Sequence, residues 1–219
     1  MRLRRSPAAG ECGGCELPTA IRDLRASHEA TIRHLTKAVE MRDPTTHRHI
    51  DRIGALSGVL ARALGWRPLR VELLELAAPM HDVGKIGIPD RILLKAGPLT
   101  RRERDVMQSH TLIGHEILAG SRSELLHLAA TIALSHHERL DGSGYPHHLG
   151  EEEIPQAARI VAVADVFDAL VNDRCYRPAL PLDEACMTMR AGRGSQFDST
   201  VLDALFANLD EVIAVQRSE

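Results

Sequence analysis

The chain has 219 residues, 44% apolar and 26% charged, with aromatic residues at only 3%. This length suits one domain with a short appendage, and a core so poor in aromatics must be built from Leu, Ile, Val, Ala and Met, which favours helices over an aromatic-rich sandwich. A formal net charge of -3 provides no global basic field to draw in a nucleic-acid polymer or an anionic membrane, but it leaves room for a small anion held by a few local cations. Four cysteines show no framework spacing. No apolar run follows the basic start Met1 to Arg5, and no stretch approaches the roughly 20 apolar residues of a membrane helix. A cytoplasmic protein with reduced thiols is expected.

Residues 1–16 are rich in Gly, Pro and Arg, lack periodicity and read as a flexible tail. From there Leu17, Ile21, Leu24, Ile32, Leu35 and Val39 recur at helical spacing, interrupted by His28, and predict one amphipathic helix over 17–42. Its stripe allows two readings: packing on the domain behind it, or a coiled-coil seam for a homodimer or a signalling partner. Asp43-Pro44 ends it, because proline disfavours helical geometry in the residue before it.

Residues 43–219 read as successive helices: 47–64, stopped by Gly65; an apolar 69–82, stopped around Gly84; and a short segment to Leu94 after the Gly87–Asp90 loop. Thr100 and Glu103 have the spacing of a capping box, opening a helix that carries Met107, His110 and Ile117. Further helices follow over 123–135, 157–170, 182–190 and 199–209, with a turn-rich Asp141-Gly-Ser-Gly-Tyr-Pro146 loop between the first two. The fold class is all-α, with no strand alternation and no internal repeat.

Three features of this pattern carry chemistry. His81-Asp82 ends an apolar helix, either as a hydrogen-bonded cap or as two ligands. His136-His137 are adjacent on a helix and can face one cluster only if it lies at the helix end. Asp165 sits within the apolar run Ile160-Val-Ala-Val-Ala-Asp165, where a carboxylate needs a partner: an arginine, a helix terminus or a metal. Imidazoles and carboxylates together make a mixed N/O set suited to Fe, Mn, Ni, Co or Zn, and ligands from several helices converging in a bundle core are a familiar arrangement. A carboxylate such as Asp82 can serve two ions, which would acidify a water between them.

Several segments resemble the HD-GYP family, HD-domain phosphohydrolases that cleave cyclic dinucleotides: His81-Asp-Val-Gly-Lys-Ile-Gly-Ile-Pro-Asp90, His110-Thr-Leu-Ile-Gly-His-Glu-Ile-Leu118, His136-His-Glu-Arg-Leu-Asp-Gly-Ser-Gly-Tyr-Pro146, Ala158–Leu170 and Arg174-Cys-Tyr-Arg177. The similarity runs from about Asp43 to Phe206, with the motifs in the family's order. It implies an HD-like helical bundle with a dinuclear core site. By this resemblance His49, His81, Asp82 and Asp165 would hold one ion and His110, His136 and His137 a second, with Asp82 bridging. Arg52 matches the arginine three residues after the first ligand histidine. Lys85, otherwise a solvated loop lysine, would set a fixed positive charge against developing oxyanion charge. Tyr145, with Gly142 and Gly144, would lie over the substrate pocket, and Arg174 and Arg177 would grip phosphate.

The implied activity is hydrolysis of cyclic di-GMP to linear pGpG, with or without a further step to GMP, using two divalent transition-metal ions, iron foremost. Three other readings stand beside it: cyclic GMP-AMP as substrate, a receptor that binds without turnover, and an HD-type phosphohydrolase acting on another nucleotide. The intact set of ligands counts against the receptor.

Four departures from the family pattern bear on this. Thr45 replaces a glutamate that helps hold a third metal in some members, so two ions are expected, and His47 is a weak substitute. His148 and Glu151 stand where two glycines are usual; His147 and His148 are expected to be exposed loop residues. Phe197-Asp-Ser199 replaces Phe-Asp-Pro. Asp168, one turn from Asp165, is expected to support its helix and the Arg174 loop. Cys12-Gly-Gly-Cys15 lacks a second ligand pair for zinc and has no βαβ context for redox work; Cys175 and Cys186 stand apart. Regulation is expected through dimerisation or a partner protein.

Overall fold

The apolar run around Ile160 becomes the central helix. In the computed structural model, which describes residues 16–42, 49–173 and 178–217, Gln156–Val171 is one helix (α8) with Ile160, Val161, Val163, Ala164 and Phe167 all buried. The elements around it are α1 (Glu16–Glu40), α2 (His49–Ala63), α3 (Pro68–Ala77), α4 (Asp90–Leu93), α5 (Arg101–Gln108), α6 (His110–Leu118), α7 (Glu124–Ser135), α9 (Leu182–Ala191), α10 (Ser199–Ala207) and α11 (Leu209–Arg217). No strand is formed among the described residues, only two isolated bridges. The all-α expectation holds. One apolar cluster joins α2, α3, α7, α8, α9, α10 and α11 through Ile53, Leu56, Leu60, Leu74, Ile132, Phe167, Met189, Leu202 and Val212.

Local chemistry sets the boundaries. Pro68 starts α3 at a position where its missing N–H costs nothing,. Thr100 and Glu103 form the expected capping box of α5, and Asp198 caps α10 by accepting from the N–H groups of Thr200 and Val201.

Three boundaries differ from the sequence reading. The apolar 69–82 helix stops at Ala77, since Pro79 cannot donate to the helical ladder; the chain tightens into 3-10 turns at Ala78–Met80 and Val83–Gly87, so Gly84 lies within a turn and does not end a helix. The helix after Thr100 breaks at Ser109, whose hydroxyl donates to the Val106 carbonyl at 2.6 Å, a local bond that competes with the helical ladder; His110 therefore opens a new helix. The last helix turns at Asn208 and continues as α11 to Arg217.

α1 lies on the domain. Ile32 packs against the core and Thr36 is buried, while Leu35 is 64% exposed. Beyond the helix, Arg42 donates to the Ile86 carbonyl and pairs with Asp90 at 2.6 Å. No described helix is long and apolar enough to cross a membrane. The tail with Cys12 and Cys15, the segment with Thr45 and His47, and Arg174, Cys175 and Arg177 lie outside the described residues.

Candidate metal centre

Helix ends bring the candidate ligands together. His49 is the first residue of α2 and His110 the first of α6; His136 and His137 follow the last residue of α7; His81 and Asp82 sit between two 3-10 turns. Asp165 comes from the middle of α8. These seven side chains form two adjoining groups, His49, His81 and Asp165 in one and Asp82, His110, His136 and His137 in the other, with ligand atoms within 4.8 Å of one another in each. The 3-10 turn after Asp82 presses on α6 so closely that a Cβ on Gly84 would stand 1.9 Å from the His110 carbonyl oxygen. Only glycine allows that approach, which carries Asp82 to His110,.

Asp82 lies between the groups. Its Oδ2 is 3.3 Å from His81 Nε2 and 2.8 Å from Lys85 Nζ, while its Oδ1 is 3.2 Å from His110 Nε2 and 3.7 Å from His136 Nε2. Asp165 Oδ1 is 3.4 Å from His49 Nε2 and 4.0 Å from His81 Nε2.

The rings are aimed by their other nitrogens. His81 Nδ1 meets the Ala78 carbonyl at 3.0 Å, His110 Nδ1 the Met107 carbonyl at 2.8 Å, and His136 Nδ1 the Ile132 carbonyl at 3.0 Å. A carbonyl can only accept, so each Nδ1 carries a proton and each Nε2 is turned into the site, where a neutral ring offers a lone pair. The Nε2 atoms of His81, His110 and His136 and Oδ1 of Asp82 are buried without a hydrogen-bond partner. Each such atom costs about 1–3 kcal/mol. Their concentration at one point, all electron-pair donors, fits divalent transition-metal ions.

Electrostatics favour neutral donor imidazoles at His136 and His137 and a protonated one at His81. Burial depresses the His136 imidazole, and burial with its neighbours His136 and His110 depresses His137 further. Burial also opposes charge on His81, but the carboxylates of Asp82 and Asp165 overcome it and raise this imidazole to about 9. Burial works against the Asp82 carboxylate too, yet Lys85 and His81 hold it well below the ordinary range.

Above the second group lies the Tyr145 loop. The Tyr145 ring stacks on His137 with centroids 4.7 Å apart, and burial followed by the Asp82 charge pushes its phenol upward, so it stays a neutral donor. Gly144 is required here, because a Cβ would meet the Arg139 nitrogen at 2.4 Å and the Glu138 Cα at 2.5 Å. Gly142 has φ of 72°. His147 and His148 are exposed, as expected. The two positions where glycine is usual hold left-handed backbone, with φ of 56° at His148 and 38° at Glu151.

One support went unread in the sequence, and a second was read without its bond to His49. Glu138 is buried and accepts the N–H groups of His147 at 2.7 Å and Leu149 at 3.0 Å, pinning the far side of the loop; a carboxylate directly after two histidines was the available signal. Asp168 holds a ligand: its Oδ2 takes His49 Nδ1 at 2.7 Å, and Arg52 grips both its oxygens at 2.5 and 3.1 Å. Burial opposes charge on Asp168, but these bonds bring its carboxyl down to about 2.

A helical bundle whose helix ends deliver histidines and aspartates to one buried point defines the class: an all-α protein with a histidine–aspartate centre that could bind metal. Residues 33–201 match the HD domain family, and the chain belongs to it, with the motifs of its HD-GYP branch. It is 49% identical over 180 residues to a cyclic di-GMP phosphodiesterase of Thermotoga maritima, covering 82% of this chain and 49% of that protein. It is 44% identical over 199 residues to the cyclic di-GMP phosphodiesterase response regulator RpfG of Xanthomonas campestris, covering 90% of this chain and 53% of that protein. The chain thus spans about half the length of these curated relatives. A crystal structure of a cyclic GMP-AMP-specific phosphodiesterase of Vibrio cholerae shares its fold with a TM-score of 0.62 at 17% identity, over 86% of this chain and 53% of that one.

Proposed function

We propose that residues 43–219 form a metal-dependent phosphodiesterase that hydrolyses cyclic di-GMP to linear pGpG, with or without a further step to GMP, in bacterial second-messenger signalling. The observation that carries the metal dependence is the set of buried, unpartnered ligand atoms flanking Asp82; the substrate comes from the relatives that bear this activity. His49, His81 and Asp165 would hold one ion, His110, His136 and His137 the other, and Asp82 both. Iron is the first candidate, then manganese, nickel, cobalt or zinc. Two such ions, when bound, supply Lewis-acid charge and an acidified water.

The protein's own groups do the rest. Lys85 keeps its ammonium beside Asp82 at 2.8 Å, a fixed cation for charge that grows on the phosphate oxygens. Tyr145 offers a neutral hydroxyl and a ring face at the rim. Arg174 and Arg177 are assigned to the phosphate on their match to the family motif, and the 17–42 helix to a second copy or a signalling partner.

The test is product analysis. Chain loaded anaerobically with iron or manganese is expected to convert cyclic di-GMP to pGpG. An intact substrate under every metal rejects the activity, and faster turnover of cyclic GMP-AMP replaces the substrate while keeping the chemistry. Tight binding without turnover would make the chain a receptor.

A further inference from the structure

We propose that Gln216, on the C-terminal helix α11, is a positioning residue for the metal group that contains His49. The inference rests on the metal-binding reading above. Gln216 lies beyond the residues matched by the family, 33–201, yet its Nε2 donates to Asp168 Oδ1 at 3.1 Å and its Oε1 accepts from Asn172 Nδ2 at 2.8 Å. Asn172 in turn donates to the same Asp168 oxygen at 3.1 Å. Asp168 is 2% exposed and receives His49 and Arg52 on the side facing the site. Its acceptor sites are thus filled from two directions, by α2 within the ligand shell and by α11 outside it.

Arg52 grips both oxygens of Asp168 but approaches from one side, and the terminal torsion of such a group is broad. Asn172 and Gln216 brace Oδ1 from the other side, so Asp168 presents Oδ2 to His49 Nδ1 and His49 presents Nε2 to Asp165 at 3.4 Å. Among the described residues the second group shows no such link: His110 and His136 orient on carbonyls of their own chain segments. α11 therefore acts on one metal position and not on the other. Losing an outer-shell partner of a ligand weakens metal binding by about 10–100-fold, and Gln216 stands one bond further out, so about tenfold is expected.

The experiment is a manganese titration of the metal-free full chain, read by the paramagnetic resonance of free Mn(II). Gln216→Ala should weaken one of two sites about tenfold and leave the other unchanged. Gln216→Glu, which keeps the side-chain size but sets a second carboxylate against Asp168, should weaken the same site at least as much. Glu211→Gln, on the same helix but 3.5 Å from Arg62, should change neither. In a His49→Ala background, Gln216→Ala should have no further effect on the remaining site. Equal loss at both sites, no loss at either, or a continued loss in that background overturns the inference while the metal reading stands. A wild-type chain that takes up no manganese or iron overturns the metal reading itself, and the inference with it.

Discussion

The ligand cluster and the loop above it are held by opposite means. In the cluster His81, His110 and His136 each anchor a ring nitrogen on a carbonyl three or four residues back, at Ala78, Met107 and Ile132. The aim of the ring follows from local winding alone. The loop is held at a distance: Glu138 reaches His147 and Leu149, and the Asp141 N–H donates to the Ser195 carbonyl at 2.9 Å. It also carries left-handed backbone at His148 and Glu151. Local anchoring makes these three side chains robust to change elsewhere; His49, which leans on Asp168 119 positions away, is the exception. Long-range anchoring and strain make the loop the part that can vary, so damage to the two regions should separate into loss of metal and loss of substrate handling.

The sharpest test is Asp82→Ala. It removes a carboxylate that lies within 4 Å of His81, His110 and His136. Loss of charge stabilisation worth several kcal/mol corresponds to activity lower by about 1000-fold or more, with metal content falling at both positions by elemental analysis. Retention of both ions would break the view of Asp82 as shared. Asp168→Asn comes next. It leaves the Arg52 guanidinium, 9% exposed, without its carboxylate, which costs about 3–5 kcal/mol of stability. The melting temperature should drop, and metal affinity should fall at the His49 group by about 10–100-fold. An unchanged melting curve would show that Arg52 finds another partner.

Gly144→Ala probes the other region. The new Cβ would collide with backbone of Arg139 and Glu138, so the turn must shift and take Tyr145 off His137. Displacement of about 1 Å can cost about 100-fold in rate. Turnover should fall by that order while metal content stays at the wild-type level. Concurrent loss of metal would merge the two regions into one.

The sequence carried these regions unequally. That the seven candidate ligands converge could be read because histidines and aspartates at the ends of apolar runs have few other uses in such numbers, and because their motifs recur in family order. The capping box at Thr100 and the buried helix around Asp165 were legible from local pattern. The break at Ser109 was not, since the apolar period runs through it, and a serine hydroxyl turned back to the Val106 carbonyl leaves no mark on periodicity. Nor could sequence show that Asp168 serves His49: that contact spans 119 positions. Gln216 is silent for the same reason. Long-range polar contacts depend on which faces the packed helices present, and spacing along the chain does not encode that.

The smallest expected effect is also the most direct measure of strain in the loop. Left-handed backbone at a residue other than glycine costs about 1–3 kcal/mol, and histidine tolerates that region better than most residues. Glutamate has no such tolerance, so of the two positions Glu151 should hold more of the cost. Glu151→Gly removes it, but glycine also loses more freedom on folding, which returns about 0.5–1 kcal/mol. The net is a gain of about 1 kcal/mol, which for a chain of this size raises the melting temperature by roughly 2–4 °C. His148→Gly should give less or nothing. Neither change touches a ligand, so metal content should not move. A fall in melting temperature for Glu151→Gly would mean that the exposed glutamate side chain stabilises the loop by more than its backbone costs, and the loop would then be as firmly built as the cluster beneath it.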